Sequence, residues 1–150
     1  MKKLFSVFAF VCSTLAVNAQ VVRDADVPQG VKSKMTEMFP AASAVVWSRD
    51  MPGFISSDFV QNKTKMSATF STSGSWVSTE IFVKQDSLPA AANQYLMTTY
   101  ADGKVTQCAK SQSVSQKTFE CRVKSKTAGE FDIVFDTQGN VLMKTAVEND

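Results

Sequence analysis

The sequence predicts an α+β fold of two tandem units, each a helix followed by about four antiparallel strands, with the helices on one face of the sheet. Three observations support this prediction. Landmarks recur along the chain: Pro28 and Pro89 are 61 residues apart, and so are Phe39 and Tyr100. Each unit opens with apolar residues at helical spacing, and alternating apolar and polar residues follow.

Each predicted helix places its apolar residues on one side. Val27, Val31 and Met35 are spaced by four residues in the first unit, and Leu88 and Ala92 begin the same spacing in the second. A proline follows the first apolar residue of each segment and suits the first turn of a helix. These Met and aromatic-rich faces are typical of a core rather than of a ligand site.

Turn signals divide the remaining sequence into strands. The segment 51–54, Met-Pro-Gly-Phe, is typical of a type II turn because Pro and Gly occupy its two central positions. Met66, Ala68 and Phe70 alternate with polar residues, as expected for a strand with one buried face. The predicted strands are Ala44–Arg49, Phe54–Gln61, Lys65–Phe70, Trp76–Val83, Lys104–Lys110, Lys117–Lys124, Glu130–Asp136 and Val141–Val147.

Two helices cannot cover eight strands, so part of the sheet should stay open. Pairing Phe70 with Trp76 across their turn predicts that Trp76 and Phe82 lie on the helix side with Met66 and Phe135. The other side then mixes apolar and polar residues, as partner-binding surfaces do. The predicted partner-binding face consists of Lys65, Thr69, Val77, Thr79, Ile81, Asp132, Leu142 and Lys144.

The first 19 residues have the layout of a secretory signal peptide. Lys2 and Lys3 precede the apolar run 4–17, and small residues end at Ala19, which predicts cleavage between Ala19 and Gln20. An uncleaved membrane anchor is the alternative, but the run is short for a membrane-spanning helix. We expect a periplasmic or secreted domain of residues 20–150, with its two units at about 27–84 and 88–148, and no membrane span in the mature chain.

The predicted cleavage changes the charge of the chain. The full sequence has 16 Lys plus Arg and 14 Asp plus Glu. Loss of Lys2 and Lys3 leaves 14 of each, a formal net charge of zero, and the basic residues that remain are scattered. Nucleic-acid binding needs a basic patch, so no nucleic-acid partner is expected.

Two cysteines remain after the predicted cleavage, Cys108 and Cys121. If their hairpin turns near Val114 and Ser115, paired residue numbers sum to 229, and this pairing places Cys108 opposite Cys121. In an oxidising compartment such a pair predicts a disulfide. The alternative is that both are small buried apolar residues.

Residues that support catalysis are scarce in this sequence. It has no His, which removes most hydrolytic triads and His-type zinc sites. Asp24 and Asp26 could bind a cation, but two carboxylates near a chain terminus more often make the chain soluble and cap a helix. Glu80 could act as an acid or base if buried, or it could be satisfied by neighbouring polar groups. We expect no catalytic residue, no metal and no cofactor.

One segment resembles a known family. Gly74, Trp76, Thr79 and Glu80 form a Gly-x-Trp-x-x-Thr-Glu pattern, which Leu88-Pro89 follows. This pattern resembles the secreted PepSY-like, beta-lactamase-inhibitor-like family across residues 27–148. The resemblance implies tandem helix-plus-antiparallel-sheet units, an extracytoplasmic location and no catalytic residues. It implies inhibition only by analogy of fold.

These observations favour an extracytoplasmic, non-catalytic binding module. It would be an inhibitor, or a protein that binds a peptide or protein of the cell envelope through the open sheet face. One alternative is a weak carboxylate-based hydrolase that uses Glu80. Another is an accessory structural protein that forms homo-oligomers, and a homodimer could cover the same face.

Overall fold

The computed structural model describes residues 20–49 and 51–147. The predicted signal peptide, residues 1–19, lies outside the described residues. Two α-helices and nine β-strands make up the described chain, and a short 3₁₀ turn precedes each helix. The elements are β1 (Gln20–Val22), α1 (Gln29–Met38), β2 (Ser43–Arg49), β3 (Phe54–Gln61), β4 (Thr64–Ser71), β5 (Trp76–Val83), α2 (Ala90–Thr99), β6 (Lys104–Ser113), β7 (Lys117–Ser125), β8 (Gly129–Phe135) and β9 (Val141–Ala146).

The strands form one antiparallel sheet whose spatial order is the chain order, β1 to β9. The prediction of two tandem helix-plus-four-strand units is wrong. Six registered pairs join β5 to β6, from Ser78 opposite Ser113 to Val83 opposite Cys108, so the sheet continues across the predicted boundary. The chain leaves the sheet after β5, forms α2 and returns to the adjacent position as β6. The first strand, β1, which pairs with β2, was not predicted.

Both helices pack on the same side of this sheet, over two separate apolar clusters. Val31 and Met35 of α1 are buried against Phe70 of β4, whereas Ala92 and Leu96 of α2 are buried over β6 to β8. The strand register shows that the two clusters share one side of the sheet. Residues of β4 on the side of the α1 cluster pair with residues of β5, and these pair with residues of β6 on the side of the α2 cluster. We call this the helix side, and we call the opposite side of the sheet the distal face.

Two β-bulges change which side a residue faces. In β5, Ser78 pairs with Thr69 but Trp76 pairs with Phe70, so Val77 is an extra residue. In β9, Leu142 is extra in the same way. A bulge inserts one unpaired residue and reverses the alternation beyond it. This reversal is the reason that the predicted faces of β5 and β9 are partly wrong.

The turns that follow β4 and β8 press against the helices. A Cβ atom at Gly74 would lie 2.9 Å from the carbonyl carbon of Gly30 in α1, and one at Gly139 would lie 2.6 Å from the backbone nitrogen of Ala92 in α2. Both glycines also have positive φ angles, 93° and 91°. Only glycine avoids both the strain and the clash, so each turn fixes the start of one helix on the sheet.

Candidate binding face of the sheet

The structure divides the predicted partner-binding face between the two sides of the sheet. Lys65, Thr69 and Asp132 lie on the distal face, because each alternates with a residue of the apolar clusters. Thr79 and Ile81 pair with Ala68 and Met66 and therefore lie on the helix side.

Of the remaining predicted residues, Lys144 also leaves that face. Lys144 pairs with Ile133 on the helix side, and its Nζ lies 4.0 Å from the centre of the Phe131 ring. Val77 and Leu142 are the two bulge residues. Phe82, which was predicted on the helix side, pairs with Ala109 on the distal face. The bulge in β5 causes this exchange, since it reverses the alternation between Trp76 and Phe82.

Small hydroxyl side chains cross the distal face in a row. Ser56, Thr69, Ser78 and Ser113 lie on neighbouring strands β3 to β6 and pair in that order. The hydroxyl oxygens of Ser56 and Thr69 are 3.2 Å apart and share a hydrogen bond. Thr69 and Ser78 are only 5 % and 4 % exposed, although neither helix lies on this side. Longer neighbouring side chains therefore shield this row from solvent.

The next two rows across the distal face each carry a carboxylate. Glu80 pairs with Ser111, and Glu120 lies on β7 opposite Ala109. Glu80 is 5 % exposed. Burial and the nearby charge of Glu80 raise the pKa of Glu120 to about 8, against the hydrogen bonds that Ser111 and Thr118 give it. Burial disfavours a charged carboxylate, so Glu120 keeps its proton at neutral pH.

An arginine lies beside these carboxylates on the same face. The Nε and Nη2 atoms of Arg122 donate hydrogen bonds of 2.8 and 2.7 Å to the two carboxylate oxygens of Asp132. Glu130 lies 3.8 Å from the same Nε atom. A two-pronged bond of this kind holds both side chains in a fixed orientation. Asp132 is thereby fixed by Arg122, which limits what else it can bind.

The space beside Glu80 and Glu120 is small. A cavity of about 20 Å³ lies among these carboxylates, Arg122 and Asp132. Such a volume holds about one water molecule. The cluster is therefore a packed polar patch rather than an open pocket.

The open space of the distal face lies toward β3 and β4. A groove of about 430 Å³ lies beside Phe82, and most of its lining is apolar. Phe82 and Val60 are half-buried, and Asp58 and Lys65 are exposed. Its volume falls within the range of pockets that hold small ligands or side chains of a partner. We call this the β3–β5 groove, and Ala44, Gln107 and the two helix-side residues Phe59 and Met66 also line it.

The two cysteines lie opposite each other, in the pairing that the hairpin arithmetic predicts. Their Sγ atoms are 2.6 Å apart, and both thiols are free in the structure. The disulfide itself stays a prediction.

Sequence reasoning missed two residues of this face, Glu120 and Phe82. Glu120 comes near Glu80 only because β5 pairs with β6, a contact between segments that the sequence analysis placed in separate units. Phe82 reaches the distal face only through the bulge at Val77. The alternation of β7 did carry a signal, since Glu120 lies between partly buried Phe119 and buried Cys121 at a position that must face away from them.

Two kinds of feature are absent from the described residues. In residues 20–49 and 51–147, no group of three or more His, Cys, Asp or Glu side chains is placed to hold a metal ion. Across the same residues, no helix is long and apolar enough to span a membrane.

Solved structures of low sequence identity share this fold. A "putative periplasmic" protein from Bacteroides eggerthii is 24 % identical, with a TM-score of 0.73 over 79 % of this chain and 88 % of that one. A BLIP-like protein from Bacteroides fragilis is 19 % identical, with a TM-score of 0.68 over 82 % of this chain and 89 % of that one. No curated protein sequence matches the chain.

A family match confirms the resemblance in the Gly74–Glu80 segment. The family described as "Putative beta-lactamase-inhibitor-like, PepSY-like" matches residues 54–143, more than half of the chain. That range covers β3 to β8 and both sides of the sheet. The chain belongs to the PepSY-like, beta-lactamase-inhibitor-like family.

Proposed function

We propose that this protein is a non-catalytic binding module of the cell envelope that holds a protein or peptide partner against its distal face. The β3–β5 groove is the observation that carries the proposal. It combines a half-buried aromatic ring, Phe82, with apolar Val60 and with exposed charges at Asp58 and Lys65. An apolar centre with a polar rim is the usual anatomy of a protein interface.

The groove and the polar rows have different roles in this proposal. A side chain of the partner would fill the groove beside Phe82, because buried apolar and aromatic anchors supply most of the energy of an interface. The shielded rows that contain Thr69 and Glu80 would lie beside the groove, and the exposed side chains of Asp58 and Lys65 would make the polar contacts with the partner. Inhibition of an enzyme is one form that such binding takes, and the family description favours it.

The proposed location is the periplasm or the extracellular space. Residues 1–19 have the sequence of a signal peptide, and the structural relative from Bacteroides eggerthii is described as periplasmic. We expect the exported protein to begin at Gln20. The intact mass of the exported protein checks this, and a retained Met1 would contradict it.

A carboxylate-based hydrolase is the second candidate, and one observation favours it. Glu120 holds its proton at neutral pH beside Glu80, and enzymes use such pairs of carboxyl groups as acid and base. The cavity at these carboxylates, however, has room for about one water molecule. A substrate would have to open the sheet surface to reach them, so we favour binding over hydrolysis.

Site-specific crosslinking tests the proposal. A photoreactive p-benzoylphenylalanine replaces Lys65 at the groove in one variant, and Met97 in a second. Met97 lies on α2 and is 68 % exposed, so it is a matched exposed position on the helix side. Each variant is expressed and exported in the native host, whole cells are irradiated, and the crosslinked products are separated by mass.

We expect a crosslinked adduct with a different protein from position 65 and none from position 97. Adducts from position 97 alone would contradict the proposed face. A crosslinked dimer of this chain from position 65 would replace the proposed partner with a second copy of the protein.

A further inference from the structure

Cys108 and Cys121 are placed to react with each other. They are direct partners on β6 and β7, and their Sγ atoms are 2.6 Å apart. A disulfide needs Sγ atoms about 2.05 Å apart, so closing the bond takes a shift of about half an ångström. The backbone of this hairpin already has the pairing that a bridge requires.

Both thiols are buried in the folded protein. Cys108 is 4 % exposed and Cys121 is 2 % exposed, and both belong to the apolar cluster beneath α2 with Ala92 and Leu96. The hydrogen bond between the two thiols lowers the pKa of Cys108 and, together with burial, raises the pKa of Cys121. A thiolate must meet its oxidant directly to attack it, so the burial of both sulfur atoms makes the folded dithiol a poor substrate for oxidation.

We infer that Cys108 and Cys121 are oxidised to a disulfide before α2 docks on the sheet, so that the finished protein carries a bridge sealed beneath α2. The oxidant is a disulfide, either of a small thiol or of a thiol oxidoreductase. One cysteine thiolate attacks it, forms a mixed disulfide and releases one thiol. The second thiolate then attacks the mixed disulfide and releases the other thiol. In total the two cysteines lose two electrons and two protons, and the oxidant gains them.

The bridge lies directly beneath the polar part of the distal face. Glu120 and Arg122 flank Cys121 on β7, and Ala109 follows Cys108 on β6, all with side chains on the distal face. A covalent link between the two strands would fix the spacing of these residues. The bridge would fix this spacing whether or not the distal face binds a partner.

The state of the exported protein is the first test. The chain is exported into an oxidising periplasm, denatured without reductant in excess N-ethylmaleimide, and its intact mass is measured. We expect no added maleimide and a mass lower by two hydrogens than that of the reduced chain. Two maleimide groups on the exported protein would overturn the inference.

The order of events needs a second test. Purified protein is reduced and refolded without oxidant, and oxidised glutathione is then added to the folded dithiol and to the same dithiol in urea. We expect oxidation of the folded dithiol to be at least roughly 100-fold slower, since it must wait for α2 to open. Equal rates would overturn the proposed order. Failure of the reduced chain to fold would support it, because α2 would then dock only on the bridged sheet.

Two variants of α2 show whether this helix provides the protection. Leu96→Ala removes a buried α2 side chain of the apolar cluster that contains the thiols, and Met97→Ala removes its exposed neighbour. We expect Leu96→Ala to speed oxidation of the folded dithiol and Met97→Ala to leave the rate unchanged. Equal rates in both variants would show that the thiols are reached by a route other than opening of α2.

Discussion

The two sides of this sheet bury different kinds of side chain. On the helix side, large apolar residues such as Phe70 and Ile133 are covered by α1 and α2. On the distal face, Thr69, Ser78 and Glu80 are almost as buried without any helix above them. Burying apolar groups stabilises a fold, whereas burying hydroxyls and carboxylates costs free energy unless they are hydrogen-bonded. The helix side therefore supplies most of the stability, and the part of the distal face that fits a role in recognition is the β3–β5 groove beside these residues.

The largest difference in the free energy of unfolding should come from truncating two neighbouring residues that face opposite sides of the sheet. Phe70→Ala empties a fully buried position of the α1 cluster. We expect it to lower the free energy of unfolding by about 4 kcal/mol. Thr69→Ala, one residue earlier and on the distal face, loses the hydrogen bond to Ser56 and should cost about 1 kcal/mol. Urea unfolding of both variants checks this, and equal losses would mean that the two sides contribute alike.

The buried carboxyl group of the distal face should give a pH-dependent effect. Because the folded state raises the pKa of Glu120 from 4.5 to about 8, the folded chain holds a proton that the unfolded chain releases between these values. This group therefore makes the protein less stable as pH rises from about 4.5 to about 8.

Glu120→Gln should remove that dependence. We expect the variant to match the natural protein near pH 4 and to be more stable by up to about 5 kcal/mol at pH 8.5. Urea unfolding at both pH values is the measurement. A variant that is less stable than the natural protein at pH 8.5 would show that the charged carboxylate is stabilised in the folded state.

The two aromatic residues of β5 test the bulge at Val77. Trp76 packs against the α1 cluster and donates a 2.9 Å hydrogen bond to the Thr79 hydroxyl, whereas Phe82 lines the β3–β5 groove. Trp76→Ala should lower the free energy of unfolding by about 2 kcal/mol, since Trp76 is only half-buried, and should leave partner binding intact. Phe82→Ala should have the smaller effect on stability and should weaken binding. Thermal unfolding and a binding titration separate the two, and the reverse pattern would place Trp76 at the interface.

Local sequence pattern predicted the positions of most elements but not how they join. β5 begins at Trp76 and ends at Val83 as predicted, and the Cys108–Cys121 pairing followed from the length of one hairpin. The sequence left open whether one sheet joins the two units, because the pairing of β5 with β6 crosses a helix and leaves no local signal. The distal face was only partly predicted because one extra residue in a strand exchanges the sides that the following residues face. Neither Val77 nor Leu142 differs in type from an ordinary strand residue.

The most direct test compares two charge reversals on opposite sides of the sheet, Lys65→Glu and Lys144→Glu. Lys65 is exposed at the β3–β5 groove, and Lys144 lies over the rings of Phe131 and Tyr100 on the helix side. The measurement is the dissociation constant for the partner that crosslinks at position 65. Lys65→Glu should weaken binding about tenfold, because it reverses a charge at the interface, and should change stability by less than about 0.5 kcal/mol. Lys144→Glu should cost about 1 kcal/mol of stability through the lost contact with the rings and leave the dissociation constant unchanged. If Lys144→Glu weakened binding and Lys65→Glu did not, the partner would bind on the helix side and the proposed division between the two sides would be wrong.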